Sequence, residues 1–204
     1  MESSRKFIEK IREKEIKLFP EFKNSNSNFE IDPLWVYFAP SWHIKAGLLN
    51  EEDLDKIINE DKTLLSVGAG GAYLEQLLVS FGVSIKNILI SDIDYSSMPK
   101  QFERVSFDMF EDWDVLDGMK FDYIIFPESI FVFLKNSDEQ MQAYFLASLM
   151  EKALKHLKLG GILRFSWGSK LKLEIEKAFN FLLQCGRKFD VEIFDNAFGL
   201  INRE

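Results

Sequence analysis

Sulfur and basic charge are both scarce in this chain. One cysteine, Cys185, stands among 204 residues, which excludes a disulfide framework and a cysteine-based metal site. Its place at the end of the apolar stretch FLLQC predicts a buried, unreactive thiol. The 25 Lys and Arg residues are outnumbered by 33 Asp and Glu and are scattered. The basic footprint that nucleic-acid binding needs is therefore missing, and we expect no nucleic-acid partner.

Long apolar runs and targeting signals are missing as well. No stretch approaches the roughly 20 apolar residues that a membrane span requires, and residues 1–19 alternate charged with apolar side chains. No set of His, Asp and Glu has metal-ligand spacing, so we expect no metal. The sequence therefore predicts a cytoplasmic protein without a membrane partner, either a monomer or a homodimer.

Apolar segments of two kinds alternate along the chain after residue 50. Short runs rich in Ile, Leu, Val and Phe predict strands, and apolar residues at helical spacing between them predict helices. The seven predicted strands lie in TLLSV, NILIS, VSF, FDYIIF, ILRFSW, VEIF and FGLIN. This alternation predicts an α/β fold: a single doubly wound, mostly parallel seven-stranded sheet with helices on both faces and the last strand or two antiparallel.

Helix signals complete this outline. Asn50 predicts the N-cap of a helix, and a short helical piece is expected around Tyr95–Phe102. A capping box at Ser137–Gln140 opens a long helix that is expected to end near Leu157. One more helix is expected over Leu173–Leu183.

The first 49 residues differ from the rest and form a predicted N-terminal extension to an α/β domain over residues 50–204. An amphipathic helix is expected over residues 3–19, and the prolines of IDPLWVYFAPSWHIKAG predict an irregular segment packed on the domain. The rings of this segment either anchor the extension to the sheet, which we favour, or form a lid whose faces stabilise a cation. These rings are Trp35, Tyr37, Phe38 and Trp42.

Small residues cluster in Gly68-Ala69-Gly70-Gly71-Ala72, directly after the first predicted strand. A glycine-rich strand-to-helix turn presents backbone N–H groups and a positive helix end to a ligand, although an ordinary turn that binds nothing has the same composition. Tyr73 stands where a dinucleotide fingerprint needs a small residue, and no Gly-Lys-Ser/Thr follows. Neither a dinucleotide site nor a P-loop fits this turn.

Acidic residues follow the next two strands. Sheets of this kind bind ligands beyond the carboxyl ends of their strands. Asp92, or else Asp94, can accept both hydroxyls of a ribose, and either can instead cap the next helical piece. Asp108 can accept the exocyclic amine of an adenine while the Met109 backbone meets the ring edge; the alternative is a solvated aspartate.

These segments together resemble the class I S-adenosylmethionine-dependent methyltransferases over residues 50–202. SVGAGGAYLEQLL is similar to the glycine loop of that family, ILISDID to its ribose-binding strand end, SFDMF to its adenine-contacting turn and ALKHLKLGGILRFSW to its helix–Gly-Gly–strand passage. The resemblance implies S-adenosylmethionine as cofactor, bound by Ser66, Gly68, Ala69, Gly70, Asp92, Ile93, Asp108, Met109 and Pro127. In two departures, Ser66 replaces the usual acid and Ala72 a frequent glycine, which weakens the expected hold on the methionine amino group.

The resemblance implies methyl transfer to a small-molecule acceptor. The sulfonium donor is already activated, so catalysis requires alignment and exclusion of water, with a base only for a protonated nucleophile. Glu128 is one candidate base, or else a helix cap or surface carboxylate; His43 is the other, or else a packed, hydrogen-bonded histidine. The alternative functions are aminocarboxypropyl transfer from the same cofactor, as in nicotianamine-synthase-like enzymes, and a non-catalytic cofactor-binding module.

Overall fold

Seven strands form one sheet in the computed structural model, which describes residues 2–24, 39–96, 98–127, 138–166, 175–194 and 196–204. The strands are β1 (Leu64–Val67), β2 (Ile88–Asp92), β3 (Glu103–Ser106), β4 (Phe121–Pro127), β5 (Leu157–Ser166), β6 (Phe189–Ile193) and β7 (Ala197–Asn202). Their order across the sheet is β3-β2-β1-β4-β5-β7-β6. The first five strands are parallel, and β7 is antiparallel to both β5 and β6. The predicted sheet is confirmed.

The strand order reverses beside β1. The chain runs from β1 outward to β2 and β3 and then returns to β4 on the other side of β1. Ser66 is the residue nearest the carboxyl end of β1 that pairs with both neighbouring strands, with Ile90 of β2 on one side and Ile125 of β4 on the other. In open parallel sheets the ligand crevice lies outside the carboxyl ends of the strands at such a reversal.

Helices cover both faces of the sheet. Their bounds are α1 (Glu2–Leu18), α2 (Pro40–Ala46), α3 (Glu51–Asn59), α4 (Tyr73–Ser80), α5 (Glu139–His156) and α6 (Ile175–Gln184). Apolar residues of α5 and α6 pack on one face, together with Leu65, Ile124 and Phe165. Residues of α1 to α4 pack on the other face, together with Leu64, Ile90 and Ile125. None of the helices in the described part of the chain is long and apolar enough to cross a membrane.

Side-chain caps start two of these helices: Asn50 caps α3 as expected, whereas α5 is capped by Asp138, one residue after the N-cap of the predicted capping box. The Asn50 side chain accepts the N–H of Asp53, and the Asp53 side chain accepts the N–H of Asn50, both at 2.9 Å. This reciprocal pair starts α3. At the start of α5, the Asp138 carboxylate accepts the N–H of Met141 at 2.8 Å. Ser137, the predicted N-cap, lies outside the described residues.

Three local predictions were wrong. Residues 40–46 form the helix α2, because Pro40 occupies the first helical turn, where its missing N–H costs nothing. The described residues of 95–102 form turns, since Pro99 interrupts the stretch and Arg104 lies over the Tyr95 ring at 4.0 Å. Cys185 is exposed, because α6 ends at Gln184 and the thiol lies beyond the buried helix face.

The N-terminal helix shares its core with the sheet. Ile11 of α1, and Phe19 and Phe22 after it, are buried in the same apolar cluster as Leu64 and Ile90. The predicted division of the chain at residue 50 stays a prediction. Trp35, Tyr37 and Phe38, the rings assigned to an anchor or a lid, lie outside the described residues, whereas Trp42 packs against the core on α2.

Candidate functional site

The glycine-rich turn after β1 folds onto the neighbouring strand. The N–H groups of Gly68 and Ala69 donate to the carbonyl oxygen of Ser91, at 2.8 and 2.9 Å. The N–H of Gly70 donates to Oδ2 of Asp92 at 2.9 Å. The sequence predicted backbone N–H groups available to a ligand, and for these three that prediction is wrong. They fix the turn to the end of β2 instead.

The backbone of the turn is left-handed at several positions. Gly68 has φ +74° and Gly70 has φ +50°. A Cβ added to Gly70 would meet no heavy atom within 4 Å, so the rim of the sheet is open at this position. Ala72, the N-cap of α4, has φ +52°, a conformation that costs an alanine roughly 1 kcal/mol. Ala72 thus adopts the backbone of the glycine that the resemblance expects here.

The two candidate ribose ligands differ in position, since Asp92 is the last residue of β2 and Asp94 lies two residues beyond the strand. Besides the bond from Gly70, Asp92 accepts the N–H of Asp94 through Oδ1 at 3.1 Å. A carboxylate has about four acceptor positions, so Asp92 retains capacity for two hydroxyls. The exposed Asp94 carboxylate accepts the N–H and the hydroxyl of Ser96, at 2.9 and 2.6 Å. Ile93, between them, is 67% exposed and offers an apolar surface beside Asp92.

Hydrogen bonds within the turn after β3, and one from α5, hold this turn in place. Oδ1 of Asp108, a half-buried residue, accepts the N–H of Phe110 at 2.9 Å. Trp113 Nε1 donates to the Met109 carbonyl oxygen at 3.1 Å. Lys152 of α5 donates to the Phe110 carbonyl oxygen at 2.7 Å. Asp108 and Met109 are therefore held at the carboxyl edge of the sheet, next to the strand that carries Asp92.

His43 lies at the same edge, beside β5. Its ring is 4% exposed, and Nδ1 stands 3.0 Å from Oγ of Ser166, the last residue of β5. Ser166 pairs with Pro127, the last residue of β4. The structure thus brings His43 to the ends of the strands near Pro127, in the packed and hydrogen-bonded setting that was the alternative to a base. Glu128, the other candidate base, lies outside the described residues.

Glu75 is a buried acid that the sequence analysis missed. It lies in the first turn of α4 and is 1% exposed, while Ser66 is 0% exposed. Within the described parts of the chain, Glu75 Oε1 and Ser66 Oγ form no hydrogen bond. Burial raises the pKa of Glu75 to about 7, against the smaller opposing effects of the Ser66 hydroxyl and the Glu75 backbone N–H. Its place three residues before Leu78, on the inward helix face, was the available signal.

Several solved structures have a fold similar to that of this chain. The sugar N-methyltransferase KedS8 from Streptoalloteichus sp ATCC 53650 is 13% identical, the match covers 92% of each chain, and the TM-score is 0.54. DesVI from Streptomyces venezuelae is 9% identical over 74% of this chain and 89% of its own, with a TM-score of 0.53. The fold is that of the class I S-adenosylmethionine-dependent methyltransferases.

A third methyltransferase structure contains a ligand. MycE from the mycinamycin biosynthetic pathway, in complex with magnesium and S-adenosylhomocysteine, is 15% identical over 83% of this chain and 53% of its own, with a TM-score of 0.56. No family model and no curated protein matches the sequence. In the methyltransferase fold of this chain, the glycine turn follows β1, Asp92 ends β2 and Asp108 follows β3. Among the described residues, no three His, Cys, Asp or Glu side chains gather as a metal site.

Proposed function

We propose that this chain binds S-adenosylmethionine across the carboxyl ends of β1, β2 and β3 and transfers its methyl group to a small-molecule acceptor. The observation that carries the proposal is the Asp92 carboxylate. It is fixed at the rim by the N–H groups of Gly70 and Asp94 and keeps acceptor capacity for a ribose diol. A prepared acceptor of this kind binds two hydroxyls without further ordering of the protein.

The donor set at the rim fits the cofactor. Gly68, Ala69 and Gly70 stand beside the amino-acid part, where the open space at Gly70 admits a ligand. Asp92 takes the ribose, and the exposed face of Ile93 supports the adenine. Asp108 and Met109 meet the adenine edge, while Ser66 and Pro127 complete the site at the ends of β1 and β4. When bound, the cofactor supplies an electrophilic methyl group on a positively charged sulfur.

The acceptor belongs beside the ends of β4 and β5. His43 and Glu128 are the candidate bases there, since His43 contacts Ser166 at the end of β5 and Glu128 follows Pro127. The extension of residues 1–49 shapes the acceptor side of the proposed site through His43 on α2. Two of the similar structures are a sugar N-methyltransferase and a methyltransferase of the mycinamycin biosynthetic pathway, which supports a small-molecule acceptor. The formal charge of −8 supports a partner other than nucleic acid and fits a cytoplasmic enzyme.

Calorimetric titration with S-adenosylhomocysteine tests the binding site. Asp92→Ala is expected to weaken the affinity at least about tenfold, or ~1.4 kcal/mol, because a charged acceptor of the ribose is lost. Asp94→Ala is the matched control and should stay within about twofold of the native affinity, because Asp94 lies two residues beyond the end of β2, whereas Asp92 is the last residue of that strand. An unchanged affinity in Asp92→Ala, with a loss in Asp94→Ala, would transfer the ribose to Asp94.

Product analysis tests the reaction. Incubation with S-adenosylmethionine and pooled small metabolites should yield S-adenosylhomocysteine, the product of methyl transfer. Methylthioadenosine as product would instead establish aminocarboxypropyl transfer from the same cofactor. Tight binding with neither product across a broad acceptor screen would identify a non-catalytic binding module and overturn the enzymatic proposal.

A further inference from the structure

Two buried polar atoms, Ser66 Oγ and Glu75 Oε1, belong to residues on either side of the glycine turn along the chain. Ser66 lies one residue before the end of the fully buried strand β1, ahead of the turn, and Glu75 lies in the first turn of α4 after it. Glu75 Oε1 and Ser66 Oγ are both inaccessible to solvent and form no hydrogen bond with the described residues. An unpartnered buried carboxyl group costs free energy that a positively charged group brought by a ligand would offset.

Burial raises the pKa of Glu75, and no Lys, Arg or His side chain lowers it again. The basic residues on the helix and strand that pack on this face have other partners. Arg12 of α1 bonds to Glu15, Lys14 of α1 donates to the Ser80 carbonyl oxygen, and Arg164 of β5 bonds to Glu192.

In the ligand-free protein the surroundings of Glu75 favour its neutral form, and a positively charged group of a ligand would favour the ionised form. The N-terminal end of α4 carries the positive end of the helix dipole, and the Ser66 hydroxyl and the Glu75 backbone N–H stabilise the ionised form. Burial opposes them and is the largest effect. A ligand with an ammonium group at the glycine turn supplies the missing positive charge.

We propose that Glu75 is the carboxylate that receives the ammonium group on the amino-acid part of the cofactor, from the helix side of the turn, in place of an acid at Ser66. This inference rests on the proposed function, because it presupposes a nucleoside that carries an amino acid. It explains why the chain can have serine at the end of β1. The carboxylate has moved from the strand to the first turn of the following helix, nine residues further along the chain.

A pair of ligands separates this role from a purely structural one. S-adenosylhomocysteine carries the ammonium group, whereas 5′-methylthioadenosine has the same adenosine without the amino-acid part. Glu75→Gln, which keeps the shape of the side chain, should weaken S-adenosylhomocysteine at least about tenfold and leave methylthioadenosine within about twofold, because only the former ligand loses a charge partner. Equal losses for both ligands would show that Glu75 only shapes the turn, and equal retention would show that it has no contact with the ligand; either result overturns the inference.

Proton release gives a second readout that does not depend on turnover. Calorimetry at pH 6 in buffers of different ionisation enthalpy should show release of about one proton when native protein binds S-adenosylhomocysteine, since Glu75 ionises on binding. Glu75→Gln and methylthioadenosine should both abolish this release. A native chain that binds neither nucleoside overturns the proposed function and this inference together. Binding of both nucleosides without linked proton release from Glu75 overturns this inference alone.

Discussion

Glu15 and Glu75 are both carboxylates inside the protein, with opposite surroundings. Glu15 of α1 is 0% exposed and accepts the N–H of Ser41 at 2.7 Å and its hydroxyl at 2.8 Å, with Arg12 as a further partner. Glu75 is as deeply buried, yet its Oε1 finds no donor among the described residues. A buried charge is tolerated when it is paired and hydrogen-bonded. The cost of ionisation therefore falls on Glu75.

The pH dependence of stability should reveal this cost in the ligand-free protein. The pKa of Glu75 is raised from 4.5 to about 7 in the folded state, so the folded state binds its proton more tightly than the unfolded chain does. The contribution of Glu75 to stability is therefore fully present below pH 4.5, falls as the pH rises through 7, and is lost above it. Between pH 5 and pH 8 this residue alone should remove about 2 to 3 kcal/mol from the free energy of unfolding.

Urea denaturation of the native chain and of Glu75→Gln at pH 5 and pH 8 measures this loss. The variant is the reference, because glutamine has the same shape and does not titrate. The native chain should lose more stability between the two pH values than the variant, by the amount attributed to Glu75. Parallel pH profiles would mean that Glu75 is paired or solvated in the folded protein, and would contradict its buried state.

Between elements, α1 holds α2 against the sheet. Glu15 binds the first turn of α2 through Ser41, and His43 further along α2 meets Ser166 at the end of β5. Since α2 has only seven residues, it would not be stable alone. These side-chain contacts at its two sides therefore determine where His43 stands relative to the carboxyl edge of the sheet.

Removing the Glu15 carboxylate should release α2. Glu15→Ala leaves the Ser41 N–H and hydroxyl without their acceptor and removes one of the partners of Arg12, which keeps its bond to the Phe22 carbonyl oxygen. We expect a loss of about 2 to 4 kcal/mol in the free energy of unfolding. Glu9→Ala on the same helix is the control: its partner Arg5 is 83% exposed, and the loss should be below about 0.5 kcal/mol. Chemical denaturation of both variants measures the difference, and similar values for the two would contradict a role of Glu15 in holding α2.

How far each element could be predicted depends on where its determinants lie. The capping residues of α3, Asn50 and Asp53, are three positions apart, so a sequence pattern could reveal them. The helix α2 could be predicted only in part: Pro40 is a local signal for a first helical turn, but Glu15, which bonds to Ser41, lies 26 positions earlier. The expected helical piece after β2 failed for the same reason, since Arg104 on β3 determines the local contacts of Tyr95.

For the whole molecule, topology made the site predictable and packing made its details unpredictable. Parallel strands of known direction bring the residues after β1, β2 and β3 to one edge, so the neighbourhood of Asp92 and Asp108 followed from the order of strands and helices. The pairing of the Gly68 and Gly70 N–H groups with β2 depends on how the turn packs. The burial of Glu75 also depends on packing, because an acidic residue in a sequence is normally expected at the surface.

A ligand that bridges three strand ends should stabilise the whole fold. At a free S-adenosylhomocysteine concentration of 100 times its Kd, binding to the native state alone adds about 2.7 kcal/mol to the free energy of unfolding. For a domain of this length that corresponds to a rise in Tm of roughly 5 to 10 °C. Asp94→Ala should show the full rise at the same concentration. Asp92→Ala, with tenfold weaker binding, should show about half of it, because its stabilisation falls to about 1.4 kcal/mol. A thermal denaturation scan of the three proteins with and without ligand measures these shifts, and a native Tm that does not move at millimolar ligand would refute cofactor binding at this edge of the sheet.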